Sequence, residues 1–203
     1  MHRDVFIFAN GILTNPGNAR AWTDRAVQWF HNRTDAAADK FEYYSPALLR
    51  WVFQRKNAVA LAETIAEYPG ARLHLVGHSN GCDLIARAVR MTSAPIASLH
   101  LISAALERDF GKNGLGERLA RGQIGNVFCL CSRGDKVLTY LARASRVATL
   151  GLLGYGDLGC RGPENAPHHV WTTWCNTLGH GDWFEPAHFD RTMETILTQA
   201  LHT

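Results

Sequence analysis

One turn constrains this chain more than any other feature of its sequence. The run Leu73–Val76 is apolar throughout, as in a buried strand, and Cys82–Val89 has the apolar spacing of a buried helix face. Between them lies the pentapeptide Gly-His-Ser-Asn-Gly, with the serine at position 79. The glycines suit a turn so sharp that side chains would collide with neighbouring backbone. The pattern therefore predicts a strand, a tight turn and a helix, with Ser79 raised above the end of the strand.

The same alternation of apolar strands and amphipathic helices continues along the chain. Strands that are apolar along their whole length are typical of a mostly parallel sheet covered by helices on both faces. We therefore expect an α/β fold, a three-layer α/β/α sandwich with about six strands. The predicted strands are Val5–Ala9, Phe41–Tyr44, Leu73–Val76, Leu99–Ser103, Val127–Cys131 and Val170–Trp174. The predicted helices lie around Trp22–Phe30, Ala58–Ile65, Cys82–Val89, Leu115–Ala120, Val137–Ala148 and Ala187–Leu201.

The length and charge of the chain limit its expected domain organisation and its expected binding partners. With 203 residues and 46% hydrophobic content, the chain can bury a full core, and we expect one domain over residues 1–203. The polar segment 107–125 is a candidate lid or pocket rim. The net charge of +3 comes from 21 basic and 18 acidic residues without basic runs, so nucleic acid is not an expected partner. The glycines at 151–162 do not form a dinucleotide-binding pattern, and no cofactor is expected.

The sequence also gives expectations about location. The first apolar run ends at Asn10-Gly11 after five residues and an acid precedes it, which indicates a strand and not a signal peptide. The apolar stretch near Ala148–Leu153 is too short to span a membrane, so no membrane anchor is expected. The five cysteines lie mostly in apolar segments and are expected to be buried thiols, which favours the cytoplasm. The oligomeric state stays open.

A serine nucleophile needs a base, and the base needs an orienting acid. Ligands bind at the carboxyl ends of parallel strands, so loops that follow strands converge on Ser79. Asp135 lies in the turn directly after the fifth predicted strand, and His180 lies in a glycine-flanked loop after the sixth. We predict that Asp135 is the acid and His180 the base.

Other assignments compete with these. Ser79 and Asp135 could each serve as a helix N-cap. Asp109 and Asp157 are alternative acids, and His78, which adjoins the serine, is expected to pack or support the turn. The other histidines that could serve as the base are His168, His169 and His188. A metal cluster of His168 and His169 with Cys160 or Asp157 lacks the usual ligand spacing, so no metal is expected.

The chain order Ser79, Asp135, His180 resembles that of the α/β-hydrolase superfamily, particularly its small lidless lipases and esterases. The resemblance runs from Val5 to the last helix. It implies a sheet with the second strand at one edge, followed by the first, third, fourth, fifth and sixth. It also implies that the backbone N–H groups of Asn80 and Ile12 hold the oxyanion, with Leu13 as the neighbouring candidate. The loop from Asn10 to Leu13 resembles a His-Gly-x motif in which asparagine replaces the histidine.

The expected activity is hydrolysis of a carboxylic ester or thioester through an acyl-enzyme. Candidate substrate contacts are Asn10, Gly11, Leu13 and the aromatic Trp183 beside the base. An acyltransferase or an amidase would use the same triad. A non-catalytic binding or scaffolding protein on the same fold is the alternative from a different class.

Overall fold

The computed structural model describes residues 3–11, 21–44, 50–148 and 156–202. The strands are β1 (Asp4–Ala9), β2 (Ala37–Phe41), β3 (Arg72–His78), β4 (Ile96–Ile102), β5 (Ile124–Cys131) and β6 (Val170–Trp174). The helices are α1 (Trp22–Arg33), α2 (Arg50–Ala66), α3 (Asn80–Val89), α4 (Leu115–Ala120), α5 (Lys136–Ala148), α6 (Leu158–Arg161) and α7 (Pro186–Leu201). A single 3-10 turn, Asp182–Phe184, precedes α7.

The six strands form one sheet in the order β2-β1-β3-β4-β5-β6, and every neighbouring pair is parallel. This order confirms the one that the resemblance implies. The order of strands in the sheet changes direction between β1 and β3. The strand β2 lies on one side of β1, and all later strands lie on the other side. Loops that follow β1 and β3 therefore face each other across the point where ligands bind in open parallel sheets.

Two apolar clusters cover the two faces of the sheet. Alternate residues of β1 belong to different clusters, because successive strand side chains point to opposite faces. Ile7 packs in the cluster that includes Leu61 of α2 and Leu84 of α3. Phe8 packs in the cluster that includes Phe30 of α1 and Ile196 of α7. The layers are therefore helix, sheet and helix, as predicted.

The second strand was predicted at the wrong place. Aromatic residues indicated Phe41–Tyr44, whereas the strand is Ala37–Phe41 and pairs with β1 from Val5 opposite Ala37. An edge strand has a neighbour on one side only, so its sequence, AADKF, need not be apolar. The aromatic signal came instead from Tyr43, which is buried and donates its hydroxyl proton to the carbonyl of Asn10 at 2.6 Å.

The glycine-rich segment predicted as a loop over 151–167 contains the short helix α6. Its backbone crosses the carboxyl ends of β4 and β5, where Gly159 N–H donates to the carbonyl of Ala104 at 3.0 Å. Ser132 N–H donates in turn to the carbonyl of Gly159 at 2.8 Å. A side chain at Gly159 would overlap the backbone of Ala104, so the glycine permits this close crossing.

The five cysteines are free thiols, and all except Cys175 are buried. None of the helices in the described part of the chain is long and apolar enough to cross a membrane.

Candidate active site

Ser79 occupies a strained backbone conformation between β3 and α3. Its φ is 55° and its ψ is −123°, a region that residues other than glycine rarely adopt. Its N–H donates to the carbonyl of Ile102 at 3.0 Å, and its carbonyl accepts from the N–H groups of Cys82 and Ala105, each at 3.1 Å. These bonds over-determine the conformation, as strained functional positions require. The side chain is largely buried, with the residue 6% exposed.

The two glycines of the turn are needed for the close approach of its neighbours. A Cβ at Gly77 would lie 2.9 Å from Cδ1 of Ile85 and 3.0 Å from the backbone nitrogen of Cys82. A Cβ at Gly81 would overlap the carbonyl oxygens of Ala9 and Asn10. Because Gly81 has no side chain, the end of β1 packs directly against the start of α3.

Asp135 and His180 form a hydrogen-bonded pair. Nδ1 of His180 lies 2.8 Å from Oδ2 of Asp135, and the aspartate is fully buried. The other carboxylate oxygen, Oδ1, accepts from the N–H of Leu138 at 2.9 Å in the first turn of α5. Asp135 is therefore both the N-cap of a helix and the partner of the histidine. Because a carboxylate only accepts, Nδ1 carries the proton, and Nε2 of a neutral His180 is left as an acceptor.

The surroundings of Asp135 favour its ionised form. Burial raises the pKa of this carboxyl, but the hydrogen bond and charge of His180 and the hydrogen bond from Leu138 outweigh burial and hold its pKa below the ordinary value. The group is consequently a carboxylate at neutral pH, as an orienting acid must be.

His78 connects the serine turn to the histidine loop. Its Nε2 donates to the backbone carbonyl of His180 at 2.9 Å, and the two rings lie 4.8 Å apart between centroids. Burial lowers the pKa of His78 to about 3, helped by the neighbouring His180, so the ring is neutral near pH 7. Since His78 precedes Ser79, this bond fixes the base loop beside the nucleophile turn. Within the described residues, the Ser79 hydroxyl itself has no hydrogen bond.

The loop after β1 packs against Ser79. A Cβ at Gly11 would lie 3.0 Å from Cβ of Ser79 and 3.4 Å from its Oγ. Asn10, the residue that replaces histidine in the motif, accepts at Oδ1 from the N–H of Gly11 and from Nε1 of Trp22, each at 2.8 Å. The asparagine thus supplies a scaffold of its own for the loop. The predicted residues Ile12 and Leu13 lie outside the described residues.

Asn80 follows Ser79 as the first residue of α3 and is completely buried. Its side-chain amide donates to Oε1 of Gln54 at 3.3 Å. This bond ties the start of α3 to α2. Its role as an oxyanion donor stays a prediction.

Trp183 has its ring in the core beneath the histidine loop. Its indole N–H donates to Oγ of Ser103 at 3.0 Å, and both residues are buried. A substrate contact by this side chain stays a prediction.

The competing acids and bases lie elsewhere. Asp109 is on the surface, where it accepts from the N–H of Gly111 and from Asn165. Asp157 lies 3.5 Å from Arg161 at the start of α6. Among the alternative bases, His168 and His169 are exposed and their rings contact each other, whereas His188 is half-buried in the first turn of α7. Across residues 3–11, 21–44, 50–148 and 156–202, no three His, Cys, Asp or Glu side chains are grouped as metal ligands.

Sequence reasoning missed three supporting residues at this site. Trp22 and Tyr43 hold the Asn10 loop, and Ser103 accepts from the indole of Trp183 in the segment that follows His180. Ser103 carried a usable signal, because it directly follows β4 and so lies at the same sheet edge as Ser79, Asp135 and His180. For Trp22 and Tyr43, no signal in the sequence distinguishes these aromatic residues from ordinary core residues.

No protein-family model and no curated protein matches the sequence of this chain. Solved structures are nevertheless similar over nearly the whole chain. A protein from Agrobacterium vitis proposed to be a hydrolase matches with a TM-score of 0.63 at 13% identity, covering 97% of this chain and 87% of the other. Mouse α/β hydrolase domain-containing protein 10 matches with a TM-score of 0.60 at 17% identity, covering 96% and 88%. A pyrethroid hydrolase matches with a TM-score of 0.60 at 13% identity, covering 98% of each chain.

The strand order, the layers and these likenesses define the class: the chain has the α/β-hydrolase fold. With six parallel strands and flanking helices in the part of the chain that the structure describes, it is a minimal form of that fold.

Proposed function

We propose that this protein is a serine hydrolase that cleaves carboxylic esters through an acyl-enzyme. The observation that carries the proposal is the buried Asp135–His180 pair, held by His78 beside the strained Ser79 turn. A structural N-cap at Ser79 would explain neither the strained backbone of Ser79 nor the hydrogen bond from Nδ1 of His180 to a buried carboxylate. The similar folds of proteins described as hydrolases and esterases add support.

Each residue has a defined role in the proposed reaction. Nε2 of His180 accepts the Ser79 proton while Oγ attacks the carbonyl carbon, and Asp135 stabilises the imidazolium that forms. Backbone N–H groups of Asn80 and Ile12 would hold the oxyanion. His180 then gives the proton to the departing alcohol, leaving an ester on Ser79. Water, activated by the same histidine, hydrolyses that ester and restores the serine.

The segment 107–125 would form a fixed rim of the pocket and not a moving lid. Three of its apolar side chains, Phe110, Leu115 and Leu119, are buried in the core. Asn113 donates to the carbonyl of Glu107 at 3.0 Å and accepts from the N–H of Leu115 at 3.0 Å. A segment anchored in this way cannot swing over a long acyl chain, so we propose small acyl groups, bound as esters or thioesters.

The free thiols fit a reducing compartment, and we propose a cytoplasmic location.

A fluorophosphonate probe tests the proposed nucleophile. We expect the folded wild type to be labelled stoichiometrically and Ser79→Ala not to be labelled. Ser98→Ala is the matched control, because Ser98 is a buried serine on β4 away from the turn, and it should label normally. A folded wild type that stays unlabelled would contradict the proposal and favour a non-catalytic protein.

A panel of nitrophenyl esters graded by acyl length tests the substrate class. We expect turnover to be highest for short chains and to fall as the chain lengthens. Added alcohol acceptors and anilide analogues distinguish an acyltransferase or an amidase from an esterase. Equal turnover of long and short esters would contradict the fixed rim.

A further inference from the structure

The acid turn, residues 132–135, packs directly against the histidine loop, residues 175–181. The turn follows β5 and the loop follows β6, so both lie at the carboxyl ends of neighbouring parallel strands. A Cβ at Gly134 would lie 2.9 Å from the carbonyl oxygen of Leu178. The absence of a side chain permits this approach of one backbone to the other. The placement of the proposed base relative to the proposed acid therefore depends on a contact between two backbone segments.

Ser132 is the side chain that bridges this contact. It is the first residue after β5 and is completely buried. Its hydroxyl donates to the carbonyl of Leu178 at 2.5 Å and accepts from the N–H of Gly134 at 3.2 Å. Leu178 precedes His180 by two residues, and Gly134 directly precedes Asp135. One hydroxyl therefore binds both segments just before each of them reaches the acid–base pair.

The backbone of Ser132 is itself bound on both sides. Its N–H donates to the carbonyl of Gly159 at 2.8 Å, and its carbonyl accepts from the N–H of Asp135 at 3.2 Å. Gly159 belongs to α6, the helix that crosses the carboxyl ends of β4 and β5. The histidine loop is therefore bonded to a residue that is anchored to a separate element.

We infer that Ser132 is a positioning residue that sets the place of the His180 imidazole relative to the Asp135 carboxylate. His78 binds the carbonyl of His180 from the Ser79 turn. Ser132 binds the carbonyl two residues earlier from the acid turn. The two bonds hold the histidine loop against both of the groups with which His180 exchanges or shares a proton in the proposed reaction.

The inference rests on the proposed function and implies a defined loss of rate. In Ser132→Ala the buried carbonyl of Leu178 loses its donor, and the histidine loop loses this bond to the acid turn. A displacement of about 1 Å in a catalytic group can cost about 100-fold in rate. We expect kcat to fall roughly 10-fold, as for one lost hydrogen bond whose buried acceptor stays unsatisfied. We expect KM to stay the same, because a completely buried hydroxyl cannot touch a substrate.

The experiment is a double-mutant cycle of Ser132→Ala with Asp135→Asn, measured as kcat on a short nitrophenyl ester. If Ser132 acts through the acid–base pair, its substitution should have no further effect in the Asp135→Asn background. Ser98→Ala is the matched control, since Ser98 is equally buried, makes two side-chain hydrogen bonds and lies on β4. It should lower the free energy of unfolding but leave kcat unchanged.

A second readout separates positioning from a purely structural role. The low-field proton NMR resonance of the His180 Nδ1–H reports on the pair without turnover, and it should move in Ser132→Ala but not in Ser98→Ala. Ser132→Cys keeps the volume of the side chain with a weaker donor, so it replaces Ser132→Ala if the alanine variant does not fold. A wild type that neither labels nor turns over contradicts the proposed function. An active wild type whose Ser132 variants keep kcat and the resonance, or whose cycle is additive, contradicts this inference alone.

Discussion

At the scale of single residues, Asp135 would combine a structural role with its proposed chemical role, each on a separate carboxylate oxygen. Oδ1 caps α5 through Leu138, and Oδ2 binds His180. The two roles are separable by substitution because asparagine keeps an acceptor for the cap but presents an amide N–H to the histidine. That amide would favour the wrong tautomer of His180.

We predict that Asp135→Asn and Asp135→Ala both lower kcat by about 10⁴-fold, as in other triads. Their stabilities should differ, because only Asp135→Ala loses the helix cap, at a cost of about 1 kcal/mol in the free energy of unfolding. Ester hydrolysis and urea denaturation of both variants measure the two effects. An Asp135→Asn protein with a tenth or more of the wild-type kcat would exclude this aspartate as the orienting acid.

His78 acts through the backbone of His180. His78→Phe keeps a ring between Trp22 and Phe184 but loses the N–H that binds the carbonyl of His180. We predict that kcat falls about 5-fold, the effect of roughly 1 kcal/mol for one hydrogen bond. The shape of the pH profile between pH 5 and 9 should not change, because the pKa of His78, about 3, lies below that range. A lost or displaced limb in His78→Phe would show that His78 itself titrates during the reaction.

At the scale of elements, the loop after β1 depends on bonds from two neighbouring elements. Trp22 at the start of α1 donates to the Asn10 side chain, and Tyr43 beyond β2 donates to its carbonyl. These bonds hold Gly11 against Ser79, where an oxyanion donor must be fixed before the reaction starts.

We predict that Tyr43→Phe lowers kcat about 5-fold with little change in KM, because one hydrogen bond worth about 1 kcal/mol no longer holds the loop. Tyr44→Phe is the matched control, because Tyr44 is the next residue in the chain and is 58% exposed. Steady-state kinetics on a short ester compare the two variants. Equal rates for both would show that the loop does not need the Tyr43 bond.

The sequence patterns correctly predicted the strands and helices that have regular apolar spacing. The bounds of β6 and α4 agree with the predictions Val170–Trp174 and Leu115–Ala120. The edge strand β2 was misplaced because it lacks the apolar signature, and α6 was missed because its glycines resemble a loop. The pairing of Asp135 with His180 was accessible from strand order alone. The contact of Ser103 was not, because periodicity shows that a residue is buried and not what its hydroxyl binds.

At the scale of the whole molecule, the fold separates two polar networks. Ser79, Asp135 and His180 lie at the carboxyl ends of the strands, and a second polar network lies within the sheet under α7. His74 Nδ1 is 2.7 Å from Ser98 Oγ, which is 2.9 Å from Nε2 of His100. The network ends at Asp4, which lies 3.2 Å from His74, and at Gln199, which lies 3.3 Å from His100. The molecule therefore folds around buried imidazoles that must stay neutral.

This network makes stability depend on pH in a defined direction. Burial lowers the pKa of His100 to about 3, with the neighbouring His74 adding to the effect, and burial also lowers the pKa of His74 despite the bond to Asp4. The unfolded value is about 6.5, above both folded values. Protons therefore bind the unfolded chain first, and the stabilising contribution, complete above about pH 6.5, is lost as the pH falls below that value, toward about 3 for His100.

We predict that the free energy of unfolding falls between pH 6.5 and 4 by up to about 1.4 kcal/mol per pH unit for each buried histidine. The pKa of His78 is also lowered to about 3, so this histidine contributes in the same pH window. The carboxyl of Asp135 contributes mainly below this window, because the unfolded chain takes up that proton near about pH 3.9 and the folded pKa is lower still. Urea denaturation at intervals of half a pH unit measures the slope. His100→Phe should reduce the slope by the share of one histidine, whereas His168→Gln, at an exposed site, should leave the slope unchanged. Identical slopes in His100→Phe and the wild type would mean that His100 does not resist protonation in the folded protein.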